Sequence, residues 1–184
     1  MRIQYRRDLW KVIQAQFGNA TCQAAEIGVA EGYFSADMLS WPINLSRLYM
    51  VDRWQCVSDQ KGDASNSQEW HDTNLAAARA RVKQFGDRAV FLQGSSIKMA
   101  EQVADRSLML AYIDADHTYQ GVLFDSLSWL PKVVPGGYMA FHDYENANYG
   151  VKEAVNEFCR QNGFTIHLLP EDAPEDAGAY FQVI

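Results

Sequence analysis

A doubly wound α/β fold, with a mainly parallel seven-stranded sheet (Rossmann-like) and an antiparallel C-terminal strand pair, is predicted by three observations. Short apolar runs alternate with stretches of helical periodicity along most of the chain, the pattern of a parallel sheet with helices on both faces. The first apolar run meets an acid and then turns through two glycines, Glu26-Ile27-Gly28-Val29-Ala30-Glu31-Gly32. Polar or small residues stand just after five successive predicted strands, and in an open parallel sheet those strand ends share one edge.

Taken in order, residues 5–17 carry Leu9, Val12, Ile13 and Phe17 at helical spacing, and Gly18-Asn19 supplies the stop. Strand one is predicted at 24–27, followed by the glycine turn and a helix that runs through Met38 to about Ser40. Trp41-Pro42 closes it, because a residue before proline is pushed out of the α region. Strand two is expected at 48–52. Residues 57–68 are rich in Gly, Asp, Ser and Asn and read as a mobile surface loop near the crevice mouth. A helix over 70–85 leads to strand three at 89–92, then a short helix at 97–104 and strand four at 108–113. A helix at 119–130 precedes Pro131-Lys132-Val133-Val134-Pro135-Gly136-Gly137, a strong turn signal. Strand five is expected at 138–141, a last helix at 151–162, and two final strands at 164–168 and 179–183 around an acidic, proline-containing loop.

The 184 residues suit one domain with a proper core. A formal charge of -7 argues against a surface built to grip nucleic-acid phosphates, though one local site can still hold a nucleoside. Cys22, Cys56 and Cys159 lie far apart with no metal-like spacing, which fits a reduced, cytoplasmic setting. The basic residues near Met1 are not followed by an apolar stretch of signal-peptide type, and no apolar run reaches membrane-spanning length. The expected partners are a small-molecule acceptor and a second copy of the chain, with no nucleic acid and no membrane.

The groups that converge on the predicted edge are Gly28 and Gly32, Asp52, Gly94-Ser95, Asp114 with Asp116 and His117, and His142-Asp143. Asp52 lies 20 residues beyond Gly32, the distance at which an acid meets the hydroxyls of a bound ribose; its other reading is a cap on the following turn. Glu26 is placed either to meet a cationic group of the ligand or to cap the glycine turn. The full dinucleotide fingerprint is absent, since Ala30 stands at the centre of the turn. Glu31 would also oppose a pyrophosphate at the helix start. A nucleoside without a pyrophosphate therefore fits better than NAD. His142 has the unperturbed pKa of a general base at neutral pH, with Asp114 or Asp143 to orient it. The competing reading makes His142 and Asp143 strand-end caps and His117 a helix N-terminal residue. His71 and His167 read as ordinary helix-face and strand residues.

This pattern resembles the class I S-adenosylmethionine-dependent methyltransferases, over nearly the whole chain from Ala25 onward. Glu26 to Gly32 is similar to the family's first motif, with Ala30 where a glycine is commoner. Asp52 matches its ribose-binding acid, and Val133-Val134-Pro135-Gly136-Gly137 its turn before strand five. Ile113-Asp114-Ala115-Asp116-His117-Thr118-Tyr119 and Phe141-His142-Asp143-Tyr144 resemble a bacterial subgroup related to catechol-type and caffeoyl-coenzyme-A-type O-methyltransferases. The resemblance implies S-adenosylmethionine as cofactor, surrounded by Glu26, Gly28, Gly32, Asp52, Arg53, Trp54, Gly94, Ser95, Asp114 and His117. Trp54 would lie over the adenine or anchor its loop on the core. The resemblance also implies a divalent cation at Asp114, Asp143 and His142, with the histidine extending the choice from Mg²⁺ to Mn²⁺, Fe²⁺ or Zn²⁺. His142 and Asp114 are the expected catalytic pair, acting in methyl transfer to a hydroxyl oxygen. A chain that keeps the fold and binds nucleosides without transfer is the alternative.

Overall fold

A computed structural model describes residues 5–57, 62–170 and 177–184. The helices are α1 (Leu9–Phe17), α2 (Tyr33–Leu39), α3 (Gln68–Val82), α4 (Ser96–Ala100), α5 (Tyr119–Trp129) and α6 (Val151–Asn162). The strands are β1 (Cys22–Ile27), β2 (Leu45–Asp52), β3 (Ala89–Gln93), β4 (Leu108–Ile113), β5 (Val133–Phe141), β6 (His167–Leu169) and β7 (Gly178–Gln182). They form one seven-stranded sheet in the order β3-β2-β1-β4-β5-β7-β6. β1 to β5 pair in parallel, while β7 runs antiparallel to both β5 and β6.

Strand residues alternate between two cores. Ala25, Ile27, Ala111, Ile113, Met139 and Phe141 face the layer of α4, α5 and α6. Ala24, Leu48, Met50, Leu110, Tyr112 and Ala140 face the layer of α1, α2 and α3. Both faces of the sheet are therefore covered, which is why its strands read as unbroken apolar runs. The strand order reverses direction between β1 and β4. A crevice for ligands opens at such a switch point, outside the carboxyl ends of the strands.

The predicted elements exist in the predicted order, and the differences have local causes. Strand five begins at Val133, earlier than expected, because the Pro-Gly-Gly segment is a bulge inside it. Val133 pairs with Leu108, the register then shifts, and Gly136 takes a left-handed φ of 83°. α1 starts only at Leu9, with one 3₁₀ turn over Arg6–Asp8 before it. α3 starts two residues early because the Ser67 side chain accepts from the Trp70 backbone N–H. It stops at Val82, where the chain tightens into 3₁₀ turns over Lys83–Arg88 around Gly86. α4 is shorter than predicted, since the N–H groups of Gln102 and Val103 bond back three residues instead of four. The expected mobile loop at 57–68 lies partly outside the described residues. Within it, Gly62–Ser65 form a 3₁₀ turn. Most of the acidic loop before β7 also lies outside them. His167 stands on β6 stacked with Tyr180, and His71 is buried on α3. No helix among the described residues is long and apolar enough to cross a membrane.

Candidate functional site

The glycine turn after β1 closes against two neighbouring strands. The Gly28 N–H donates to Val51 of β2 (2.8 Å), and the Asp114 N–H at the end of β4 donates to Ile27 (2.7 Å). Gly28 adopts φ 91°, and a Cβ there would stand 1.8 Å from the Asp114 carbonyl oxygen. Only glycine fits a backbone packed so closely on another backbone. Gly32 (φ 74°) leads into α2.

Asp52, at the end of β2, is the anchor of this turn. One carboxylate oxygen accepts from the N–H groups of Val29 and Ala30, each at 2.9 Å; the other accepts from the Trp54 N–H at 3.0 Å. Ala30 (φ 47°) and Trp54 (φ 43°) are both held in the left-handed region that non-glycine residues avoid. Asp52 therefore ties down two strained positions at once. A carboxylate offers about four lone-pair sites, so room remains for one further donor such as a ribose hydroxyl. Both readings of Asp52 share the same atoms.

Trp54 is 1% exposed, donates its indole N–H to the Ala30 carbonyl (2.9 Å) and packs beside Phe91. Of its two readings, this geometry is that of the loop anchor, with no indole face open to an adenine. Arg53 is half-buried and feels the charge of Asp125, a buried acid of α5 whose pKa burial pushes up to about 6. Gly94 and Ser95 follow β3 beside this group. Gly94 donates to the Asp52 carbonyl, and a Cβ on it would press on Met99.

Glu26 lies at the floor, 2% exposed, and accepts a hydrogen bond from the Ser35 hydroxyl of α2. Burial pushes its pKa up to about 8 against the opposing pull of Ser35. Between the unfolded value of 4.5 and about 8, the folded chain thus holds a proton that the unfolded chain has lost. The contribution of Glu26 to stability is full below that window and is lost as pH rises through it. Glu26→Gln should remove this decline, so the stability of the native chain relative to the variant falls by up to a few kcal/mol from pH 4.5 to pH 8. Denaturant unfolding of both chains across that range checks it; a difference that does not vary with pH would contradict it.

The acids and imidazoles after β4 and β5 form one cluster. The Nε2 of His117 lies 3.3 Å from Asp114 Oδ1 and 3.2 Å from Asp143 Oδ2. The Nδ1 of His142 lies 3.0 Å from Asp143 Oδ2 and 3.6 Å from Asp114 Oδ1. That nitrogen is buried and is not aligned for a hydrogen bond, so its contact with the acids is electrostatic. Asp143 sits at φ 54°, in the left-handed region, and its Oδ2 meets both imidazoles. Burial opposes charge on both histidines, yet the attraction of the two acids outweighs it and raises both pKa values. Burial alone would raise Asp143, but His142 and His117 hold it below its usual value. The three groups whose ligand atoms all lie within 4.8 Å of one another are Asp114, His117 and Asp143. Two hard oxygens and one imidazole nitrogen are a donor set that fits a divalent cation. The trio expected from sequence has His142 in place of His117, and the His142 Nδ1 approaches the same two carboxylate oxygens.

Several contributors carried no strong sequence signal. Arg6 lies 3.9 Å from Asp114 and covers the Phe34 ring, so the N-terminal segment lines the site. Arg81 of α3 donates to the Glu31 carbonyl and lies over Tyr33, bracing the glycine turn from outside. Tyr149 stacks on His117 with centroids 4.5 Å apart. Each is a charged or aromatic residue on a different element, and only the fold brings it to the edge.

Residues 25–144, well over half the chain, match a family described as a methyltransferase domain. The chain belongs to that family. The match runs from β1 through β5 and so includes the glycine turn, Asp52, Gly94 and the whole acid–imidazole cluster. The chain is also similar to solved structures across nearly its whole length. The O-methyltransferase NovP shares 19% identity at a TM-score of 0.67, covering 96% of this chain and 79% of that one. A Bacillus cereus O-methyltransferase in complex with S-adenosylhomocysteine shares 15% identity at a TM-score of 0.68, covering 97% and 80%. Methylases of rRNA stand among the structural matches too, so the fold alone does not choose an acceptor. The curated protein y4gI of Sinorhizobium fredii, itself uncharacterised, is 26% identical over 102 residues. Those are 55% of this chain but 10% of that protein, so the chain spans a small part of this relative. The family's cofactor is S-adenosylmethionine.

Proposed function

We propose that this enzyme transfers the methyl group of S-adenosylmethionine to a hydroxyl oxygen of a small-molecule acceptor. One observation carries the reading: Gly28 and Asp114 are in direct backbone contact, so a cofactor seated on the glycine turn ends beside the acid–imidazole cluster. In that seating Gly28 and Gly32 give close access to the methionine end. Glu26 faces its ammonium group from below, and Asp52 receives a ribose hydroxyl. Gly94, Ser95 and Arg53 border the adenine. Trp54 contributes by holding Ala30 in place.

In the reaction, the acceptor oxygen attacks the sulfonium methyl in line. The carbon–oxygen bond forms as the carbon–sulfur bond breaks, and the thioether leaves as S-adenosylhomocysteine. The hydroxyl proton goes to His142. Its Nδ1 faces Asp143 and Asp114, which leaves Nε2 as the receiving atom and the two acids to stabilise the imidazolium. A divalent cation at Asp114, Asp143 and an adjoining histidine would polarise the acceptor oxygen and favour its ionised form. The formal charge of -7 favours a small acceptor over a nucleic acid. A cytoplasmic setting and a homodimer belong to the same proposal.

Methyl-labelled S-adenosylmethionine with a panel of catechols and other hydroxylated metabolites tests this, with products identified by mass spectrometry. An O-methylated product is expected, and His142→Gln should slow its formation by roughly 10²- to 10⁴-fold while S-adenosylhomocysteine still binds. Binding without transfer to any acceptor would favour the nucleoside-binding alternative. Labelled RNA in a parallel reaction would overturn the acceptor class.

A further inference from the structure

We infer that His117, rather than His142, completes a divalent-cation centre with Asp114 and Asp143, and that this imidazole selects a first-row transition ion over magnesium. The inference rests on the reading of this cluster as the seat of methyl transfer. Two ligands about 2.1 Å from a shared ion, at angles between octahedral and tetrahedral, stand roughly 3.0–3.4 Å apart. The His117 Nε2 lies 3.3 Å and 3.2 Å from its two carboxylate neighbours, and all three atoms fall within 4.8 Å of one another.

The arrangement is held from outside the cluster. Tyr149 stacks on the His117 ring at an interplanar angle of 16° and fixes its plane. Asp114 is pinned by its N–H to Ile27, and His142 by its N–H to Ile113 at 3.0 Å, which sets the start of the turn that places Asp143. Ligands whose orientation is fixed by neighbours bind without first paying an ordering cost.

His142 is differently placed. Its Nδ1 is the ring nitrogen nearer its own backbone. It is buried and lies beside the same two oxygens without hydrogen-bond alignment. Once those oxygens turn toward an ion, this nitrogen becomes a donor to them from behind, the usual position of a group that orients ligating carboxylates. Its Nε2 stays available for the acceptor proton. The two histidines then divide the work, one holding the ion and the other moving the proton. Two carboxylates alone suit Mg²⁺ or Ca²⁺, whereas an added imidazole favours Mn²⁺, Fe²⁺, Co²⁺ or Zn²⁺.

The test is titration of the EDTA-stripped full chain with Mn²⁺, followed by calorimetry and by pulsed electron paramagnetic resonance for nitrogen coupling. One Mn²⁺ per chain with a nitrogen coupling is expected, with Mg²⁺ binding at least about tenfold weaker. In His117→Gln the coupling should vanish and Mn²⁺ affinity fall by about 100-fold or more, whereas His142→Gln should keep the coupling. Circular dichroism and S-adenosylhomocysteine titration of each variant show that the fold and the cofactor site persist. If the native chain binds S-adenosylhomocysteine but no Mn²⁺, His117 is only an imidazolium bridging two acids. The inference then falls while the methyltransferase reading stands. Coupling that survives in His117→Gln, or that vanishes in His142→Gln, overturns the assignment of ligands.

Discussion

Gly28→Ala is expected to be the most damaging glycine-to-alanine change among the described residues, lowering stability by about 3 kcal/mol or more. Two effects combine. A φ of 91° is closed to an L-residue without strain, and the new Cβ would stand 1.8 Å from the Asp114 carbonyl oxygen and 2.9 Å from the Ala115 Cα. Both obstacles are backbone, so relief requires the ends of β1 and β4 to part, at the seam proposed to seat the cofactor. For a chain of this length the loss corresponds to a fall in Tm of roughly 6–12 °C. Gly32→Ala is the internal control. Its φ is 74°, but its Cβ would meet the Cα and Cβ of Ala78 at 3.2 Å, a contact that α3 relieves by moving as a whole a few tenths of an ångström. A cost of about 1 kcal/mol is expected there. Thermal unfolding of both variants checks the contrast, and equal losses would contradict the packing argument.

Asp52→Ala should abolish cofactor binding, weakening S-adenosylhomocysteine by about 100-fold or more while lowering stability by about 2 kcal/mol. The size of the binding effect follows from the two tasks that meet on one carboxylate. It is the expected ribose acceptor, and it also carries the N–H groups of Val29, Ala30 and Trp54. Without it, Ala30 and Trp54 have no compensation for left-handed backbone angles, and the turn loses the shape that the cofactor needs. Asp52→Asn keeps an acceptor oxygen on one side only and should fall between the two in both measurements. A variant that binds normally with an intact turn would show that neither task belongs to Asp52.

Much of this site was legible in the sequence because its logic is positional. A polar residue at the end of each apolar run, in a chain of alternating strands and helices, places Gly28, Asp52, Gly94, Asp114 and His142 on one edge before any coordinates are known. β4 and α6 have the bounds expected, since each is bracketed by clear stop signals. What was not legible depends on side-chain direction. Strand alternation cannot tell whether Trp54 faces a ligand or the core. The answer comes from the Ala30 carbonyl, 24 residues away in sequence, which receives its indole N–H. The choice between His117 and His142 depends likewise on ring orientation, set by Tyr149 on a separate loop and by the left-handed turn at Asp143. The Pro-Gly-Gly segment reads as a turn in sequence because its residues are turn formers. In the sheet the same residues form a bulge, as the pairing of Val133 with Leu108 continues β5 to the other side. Arg6 and Arg81 gave no signal because a lone arginine is ordinary on any surface, and only tertiary contacts give them a role here.

The most direct measurement is a calorimetric titration of the native chain with S-adenosylhomocysteine, with NAD as the control. One site per chain is predicted, with an affinity on the order of micromolar and no heat from NAD. Absence of any S-adenosylhomocysteine binding at millimolar concentration would contradict the account at its centre.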